Sequence, residues 1–239
     1  MLLRAAFAAW RQVFSPGLRA ILWKSLALTV GLLALAWFGL TRAFKAFLAA
    51  HPVSSDYPFL DTLAFFLAGA GLVVVLAYIL PAVSAVVAGY FLDDAADIVE
   101  RADYPGEVPG RALPLGQSLL YGLRFAALAL AVNLCALALF FVPGVNLVAF
   151  FGANAYLLGR EYFELAAARF RPVPDAVGMR RAHMPTVLAA GGLLAALMLV
   201  PIVNLLTPLF GIALMVHVHK GLDRSPRLLR RAEDRPSLR

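Results

Sequence analysis

The segment Phe14-Ser15-Pro16-Gly17-Leu18-Arg19 is the part of this 239-residue chain best equipped to hold an anion. Ser-Pro-Gly ends one helix and opens another. A helix N-terminus offers unpaired backbone N–H groups and the positive end of the helix dipole, which together suit an oxyanion. Gly17 lets the backbone approach closely, and Arg19 adds a charged, forked donor. Gly17, Leu18 and Arg19 are therefore the candidate substrate-binding residues. The plainer alternative is a turn followed by a snorkelling arginine. A second Gly-Leu-Arg, Gly122-Leu123-Arg124, opens another apolar run in the same way.

Polar groups inside apolar runs are the next candidates, because a membrane makes them costly. Asn133 and Asn154 read either as glue between helices or as pore lining. Arg124, Arg160, Glu161 and Glu164 are candidate pore or gate residues, and Arg180 and Arg181 stand ahead of a later run. Such charges either steer an anion or sit at the membrane surface. His217 and His219 flank Val218 and point to different helix faces, which fits solvated interfacial histidines better than a metal pair. Asp93, Asp94, Asp97 and Glu100 recur at helical spacing and read as a solvated face, with a cation site as the alternative. No Gly-x-Ser-x-Gly, His-Glu-x-x-His or phosphate loop occurs, so no enzyme, cofactor or metal is expected.

The elements that would position these residues are apolar helices. The chain is 62% hydrophobic and 15% charged, with a mean hydropathy of +0.81. A soluble domain carries roughly 25% charged residues. An all-α, multi-pass membrane protein is expected, with two long spanning helices, 25–41 and 62–92, and two helical hairpins, 125–159 and 184–216. Residues 1–16 form an amphipathic interfacial helix, with Arg4 and Arg11 at headgroup level and Leu2, Leu3, Phe7 and Trp10 dipping into lipid. Cys135 is the single cysteine and excludes an internal disulfide.

The hairpins are marked by a repeat. Val142-Pro143-Gly144-Val145-Asn146 and Val200-Pro201-Ile202-Val203-Asn204 each break an uncharged stretch at the same relative point. Pro143, Asn146, Pro201 and Asn204 are read as the turns, with each asparagine capping the second half of its hairpin. Halves of 13–15 residues rise only about 20–23 Å, short of the roughly 30 Å of a hydrocarbon core. The hairpins are therefore either hemi-penetrating or spanning in a thin membrane. In both cases all but Arg42 and Lys45 of the 21 lysines and arginines share one side, which the positive-inside rule places in the cytoplasm. The formal charge of +7 thus reads as orientation, not nucleic-acid binding, and the basic tail 222–239 is suited to fray or to lie on anionic lipid.

Four ordered segments resemble the CysZ family of bacterial inner-membrane sulfate permeases, within the wider etoposide-induced-protein superfamily. They are Ser15–Arg19, Phe141–Asn146, Tyr156–Glu164 and Pro201–Pro208, and the likeness runs from about residue 5 to 221 as one membrane domain. The resemblance implies two long spanning helices plus two pairs of hemi-penetrating helices. It also implies homo-oligomers with subunits in opposed orientations, and ATP-independent uptake of sulfate or a related oxyanion for cysteine synthesis. It carries oxyanion binding onto Gly17, Leu18 and Arg19. The chain departs from the family at Ala20, where a second arginine is common, and at Ser25, where a proline is expected. A scaffold that shapes the bilayer without transporting is the alternative from the residues alone.

Overall fold

The computed structural model describes residues 1–50, 91–112 and 145–233, with single positions at 59, 63, 66, 67, 69–71, 114, 127, 128, 131 and 132. The expectations placed on Arg124, Asn133 and Pro143, and on most of the 62–92 helix, lie outside them. Every regular element among the described residues is α-helical. The helices are α1 (Leu2–Val13), α2 (Pro16–Ala50), α3 (residues 91–103), α4 (Val145–Ala168), α5 (Val173–Ala182), α6 (Met184–Met198), α7 (Pro201–Asn204) and α8 (Thr207–Glu233). They fall into two compact units, one of Met1–Leu22 with Leu92–Arg239 and one of Trp23–Phe91.

In the first unit α8 is the axis. Its residues 209–220 are buried at every position, as expected of a helix that is apolar nearly all round. Helices α1, α4 and α6 pack against it. Helix α1 turns Ala5, Ala9, Gln12 and Val13 inward, and leaves Leu3, Phe7, Trp10 and Phe14 exposed along the opposite stripe. The N-terminal helix is thus docked on α8 by one face and leaves an apolar stripe open on the other.

Helices α4 and α6 cross almost backbone to backbone. A Cβ on Gly159 would lie 2.7 Å from the Val187 carbonyl oxygen, and one on Gly191 would strike the Ala155 carbonyl. Small residues at a crossing let apolar helices associate where no hydrophobic force drives them together. Helix α4 outruns its apolar part. Helix α4 starts at Val145 and continues as helix through the charged residues after Gly159 to Ala168.

Helix α2 begins in the first unit and runs on into the second, and its Pro16–Ala46 stretch is long and apolar enough to cross a membrane. That stretch rises about 46 Å. Trp23, Val30, Leu35, Trp37 and Phe38 all stand exposed along it. Near its far end the Thr41 hydroxyl donates to the carbonyls of Trp37 (2.7 Å) and Phe38 (3.0 Å), so its polar group is satisfied within the helix. Arg42 lies 4.9 Å from the Phe38 ring centre.

Candidate anion-binding site

The turn between α1 and α2 is built as its sequence dictates. Ser15 ends α1, its N–H reaching the Gln12 carbonyl at 2.8 Å, and Pro16 occupies the first position of α2, where a missing N–H costs nothing. The Ser15 hydroxyl accepts the Leu18 N–H at 3.4 Å, and the Arg19 N–H reaches the Ser15 carbonyl at 3.0 Å. Self-capping therefore uses one of the N–H groups that an oxyanion would want. What remains is the Gly17 N–H and the Arg19 guanidinium. Leu18 is fully buried and anchors the turn, while Arg19 is exposed and makes no ion pair among the described residues. Gly17 lies against α3, where an added Cβ would come 3.2 Å from the Ile98 side chain.

The charges after the first hairpin converge. Glu164 is buried, and its Oε1 accepts from Arg180 Nε at 2.5 Å and Arg160 Nε at 3.3 Å. Arg160, Glu164 and Arg180 thus form one ion-pair cluster across α4 and α5, two guanidiniums on one carboxylate. Glu161 is half-buried. Asn154 donates to the Phe150 carbonyl of its own helix at 2.8 Å. Asn146 lies at the start of α4 and Pro201 at the start of α7.

Three expectations are corrected. Asn204 does not cap the second half of its hairpin. It ends α7, and the first bond of α8 runs from the Phe210 N–H to the Leu206 carbonyl at 2.9 Å. The acidic face of α3 is not solvated throughout: Asp94 is exposed, but the other three carboxylates share one ion-pair node. Asp93, Asp97 and Glu100 all bind Arg169, whose side chain is 1% exposed, with Nη1 2.7 Å from Asp93 and Nε 2.9 Å from Glu100. The Pro109-Gly110 loop closes over this node, the Gly110 N–H donating to Glu100 Oε2 at 2.7 Å and the Arg111 N–H to the Arg169 carbonyl at 2.8 Å. A Cβ on Gly110 would lie 2.9 Å from the Arg169 Cβ, so glycine is required there. Burial raises the Asp93 carboxyl pKa against the pull of Arg169.

The histidines are not solvated either. His217 is buried, accepting from the Tyr104 hydroxyl at Nδ1 (2.7 Å) and donating from Nε2 to Gln12 Oε1 (3.0 Å), a pattern that a neutral ring satisfies at both nitrogens. Burial lowers its pKa. His219 is stacked on Phe170 at 5.0 Å, with neither ring nitrogen partnered, and burial pushes its pKa down to about 4. Beside these rings a cavity of about 410 Å³ is lined by Asp97, Glu100, Tyr104, Glu107, Gly110 and Lys220. Burial alone would raise the Glu107 carboxyl, but hydrogen bonds from Lys220 and Arg224 hold it below its ordinary range. Lys220 Nζ lies 2.8 Å from Glu107, so the lysine that lines this cavity is already paired.

A second cavity, of about 340 Å³, lies at the tip of the second hairpin, where Tyr162 of α4 meets Met198, Asn204, Leu205, Thr207 and Pro208. Sequence reasoning passed over Thr207 because one threonine beside a proline at a helix start is an ordinary turn residue.

A family model described as Sulfate transporter CysZ/Etoposide-induced protein 2.4 matches residues 5–208 of the chain. No curated protein matches it.

Proposed function

The chain belongs to the sulfate transporter CysZ/Etoposide-induced protein 2.4 family, and from that premise we propose that it is a permease for sulfate or a related oxyanion. It works without ATP hydrolysis, as a homo-oligomer in a bacterial cytoplasmic membrane, and supplies sulfate for cysteine synthesis. The observation that carries this reading is the Gly17–Arg19 turn at the head of the one described helix able to cross a membrane. An exposed guanidinium and a free N–H at a helix N-terminus offer capture without deep desolvation. Because Ser15 already caps Leu18, and Ala20 stands where a second arginine is common, capture is weak and exchange is fast. A channel needs that balance, since an ion held too firmly does not leave.

The test is uptake of radiolabelled sulfate into liposomes containing the purified protein, wild type against Arg19→Ala. Saturable flux in the wild type is expected, reduced about tenfold in the variant, the size of one charge-assisted hydrogen bond. The variant should fold normally, because an exposed, unpaired side chain contributes little to stability. A wild-type flux no greater than that of empty liposomes refutes the permease. The exposed stripe of Leu3, Phe7, Trp10 and Phe14 would then favour a bilayer-shaping scaffold, a role indifferent to Arg19.

A further inference from the structure

Thr207 is 3% exposed, yet its hydroxyl has no hydrogen-bond partner, and it lines the cavity at the tip of the second hairpin. A buried hydroxyl left unpaired is unfavourable, and valine has the same shape without that cost. Thr207 is also the first residue of the 27-residue α8. The first bond of that helix is made by the Phe210 N–H, so the N–H groups of Thr207 and Leu209 stand ahead of the ladder, while Pro208 has none. Two backbone donors and one hydroxyl therefore gather at the positive end of a long helix dipole. No carboxylate lines the cavity to oppose an anion. Its wall is fixed, because the Tyr162 ring lies on Gly211, where an added Cβ would come within 3.0 Å of it.

We propose that this cavity binds a tetrahedral oxyanion of the sulfate or phosphate class through the Thr207 hydroxyl and the first N–H groups of α8. No arginine or lysine lines it, so binding is weaker than a charged clamp would give. That suits a relay position on a permeation route, a role that rests on the permease reading, whereas the site itself does not. The same chemistry is offered by free sulfate and by the phosphate of a lipid headgroup.

The test uses full-length protein labelled with 15N-threonine in a phosphorus-free maltoside detergent. The chain has five threonines, at 29, 41, 62, 186 and 207, and Thr207→Ser identifies the Thr207 amide signal. Titrated sulfate should move that signal saturably, and further than chloride at matched ionic strength. A shift produced by phosphatidylglycerol but not by sulfate keeps the site and overturns the relay role. No shift with either ligand overturns the site. In liposomes, Thr207→Val should cut sulfate flux about tenfold and Thr207→Ser should preserve it, the difference being one hydrogen bond to a charged ligand. Full flux in Thr207→Val overturns the relay. A sulfate shift in a wild-type protein that shows no flux leaves the site standing and refutes the permease.

Discussion

Arg169 meets three carboxylates from α3 while its side chain is almost wholly out of solvent. Taking one guanidinium out of water costs several kcal/mol unless its donors are matched, and here Nε, Nη1 and Nη2 each find a carboxylate. Removing the arginine would leave Glu100, itself buried, facing Asp93 and Asp97, with only the exposed Arg101 beside Asp97 as a counter-charge. Arg169→Met should therefore destabilise the protein by about 3–5 kcal/mol, seen as a large fall in melting temperature in detergent. An unchanged melting temperature would mean that the carboxylates find solvent instead. His219 makes a prediction of the opposite kind. Its folded pKa of about 4 lies below the ordinary 6.5, so the fold favours the neutral ring. That contribution is complete above pH 6.5 and is lost as pH falls toward 4, reaching about 3 kcal/mol across the interval. Arg171 and Lys220 reinforce the depression, while Asp223 and Glu107 oppose it. His219→Phe keeps the stack on Phe170 and removes the titration. Its melting temperature should vary less between pH 6.5 and 4 than the wild type's, and an identical pH profile would assign the acid sensitivity to other groups.

Among the elements, the crossing of α4 and α6 depends on two glycines that leave no room for a side chain. Gly191→Ala would put a methyl group into the Ala155 carbonyl, and Gly159→Ala would meet the Val187 carbonyl. Neither obstacle is a flexible side chain, so the helices must part. Each substitution should cost about 1–3 kcal/mol, and the pair should cost less than the sum because the first already opens the crossing. A double-mutant cycle in thermal unfolding would measure this, and strict additivity would show that the helices do not meet there. The turn of the second hairpin was legible because its cause is local. The break at Pro201–Asn204 appears as the one-turn α7, while Pro143 and Gly144 of the first hairpin lie outside the described residues. The crossing was not legible, because Ala155 and Gly159 read equally well as ordinary small residues in an apolar run. The acidic face of α3 failed for a similar reason. Helical spacing places Asp93, Asp97 and Glu100 on one side but cannot say whether that side meets water or an arginine about 70 residues further on. The buried histidines follow from α8 being enclosed on every side, a property of neighbours and not of its own sequence.

For the whole molecule, the permease reading raises the question of how deeply the second hairpin enters the bilayer. Helix α6 is 15 residues long, a rise of about 22 Å, against the roughly 30 Å of a hydrocarbon core. Its far end carries Met198, Leu199 and Val200, all exposed, and these lead into α7 without a charge. An exposed apolar tip without a flanking lysine, arginine or tryptophan is placed in hydrocarbon at lower cost than at either surface. The tip should therefore stop inside the membrane. That placement gives the oxyanion donors at the head of α8 a purpose, since a buried helix N-terminus is where a passing anion most needs them. The native Cys135 can be replaced by serine and Leu199 by cysteine, with Arg42→Cys as a second reporter at the opposite end of the spanning helix. A membrane-impermeant maleimide should label Cys at 42 from one face of sealed vesicles only. Cys at 199 should react from neither face until detergent is added. Reaction at 199 from the same face as 42 would make the hairpin a spanning one and move the Thr207 cavity to the far surface. Reaction from the opposite face would mean that the tip never leaves the headgroups, and that any route for sulfate runs elsewhere.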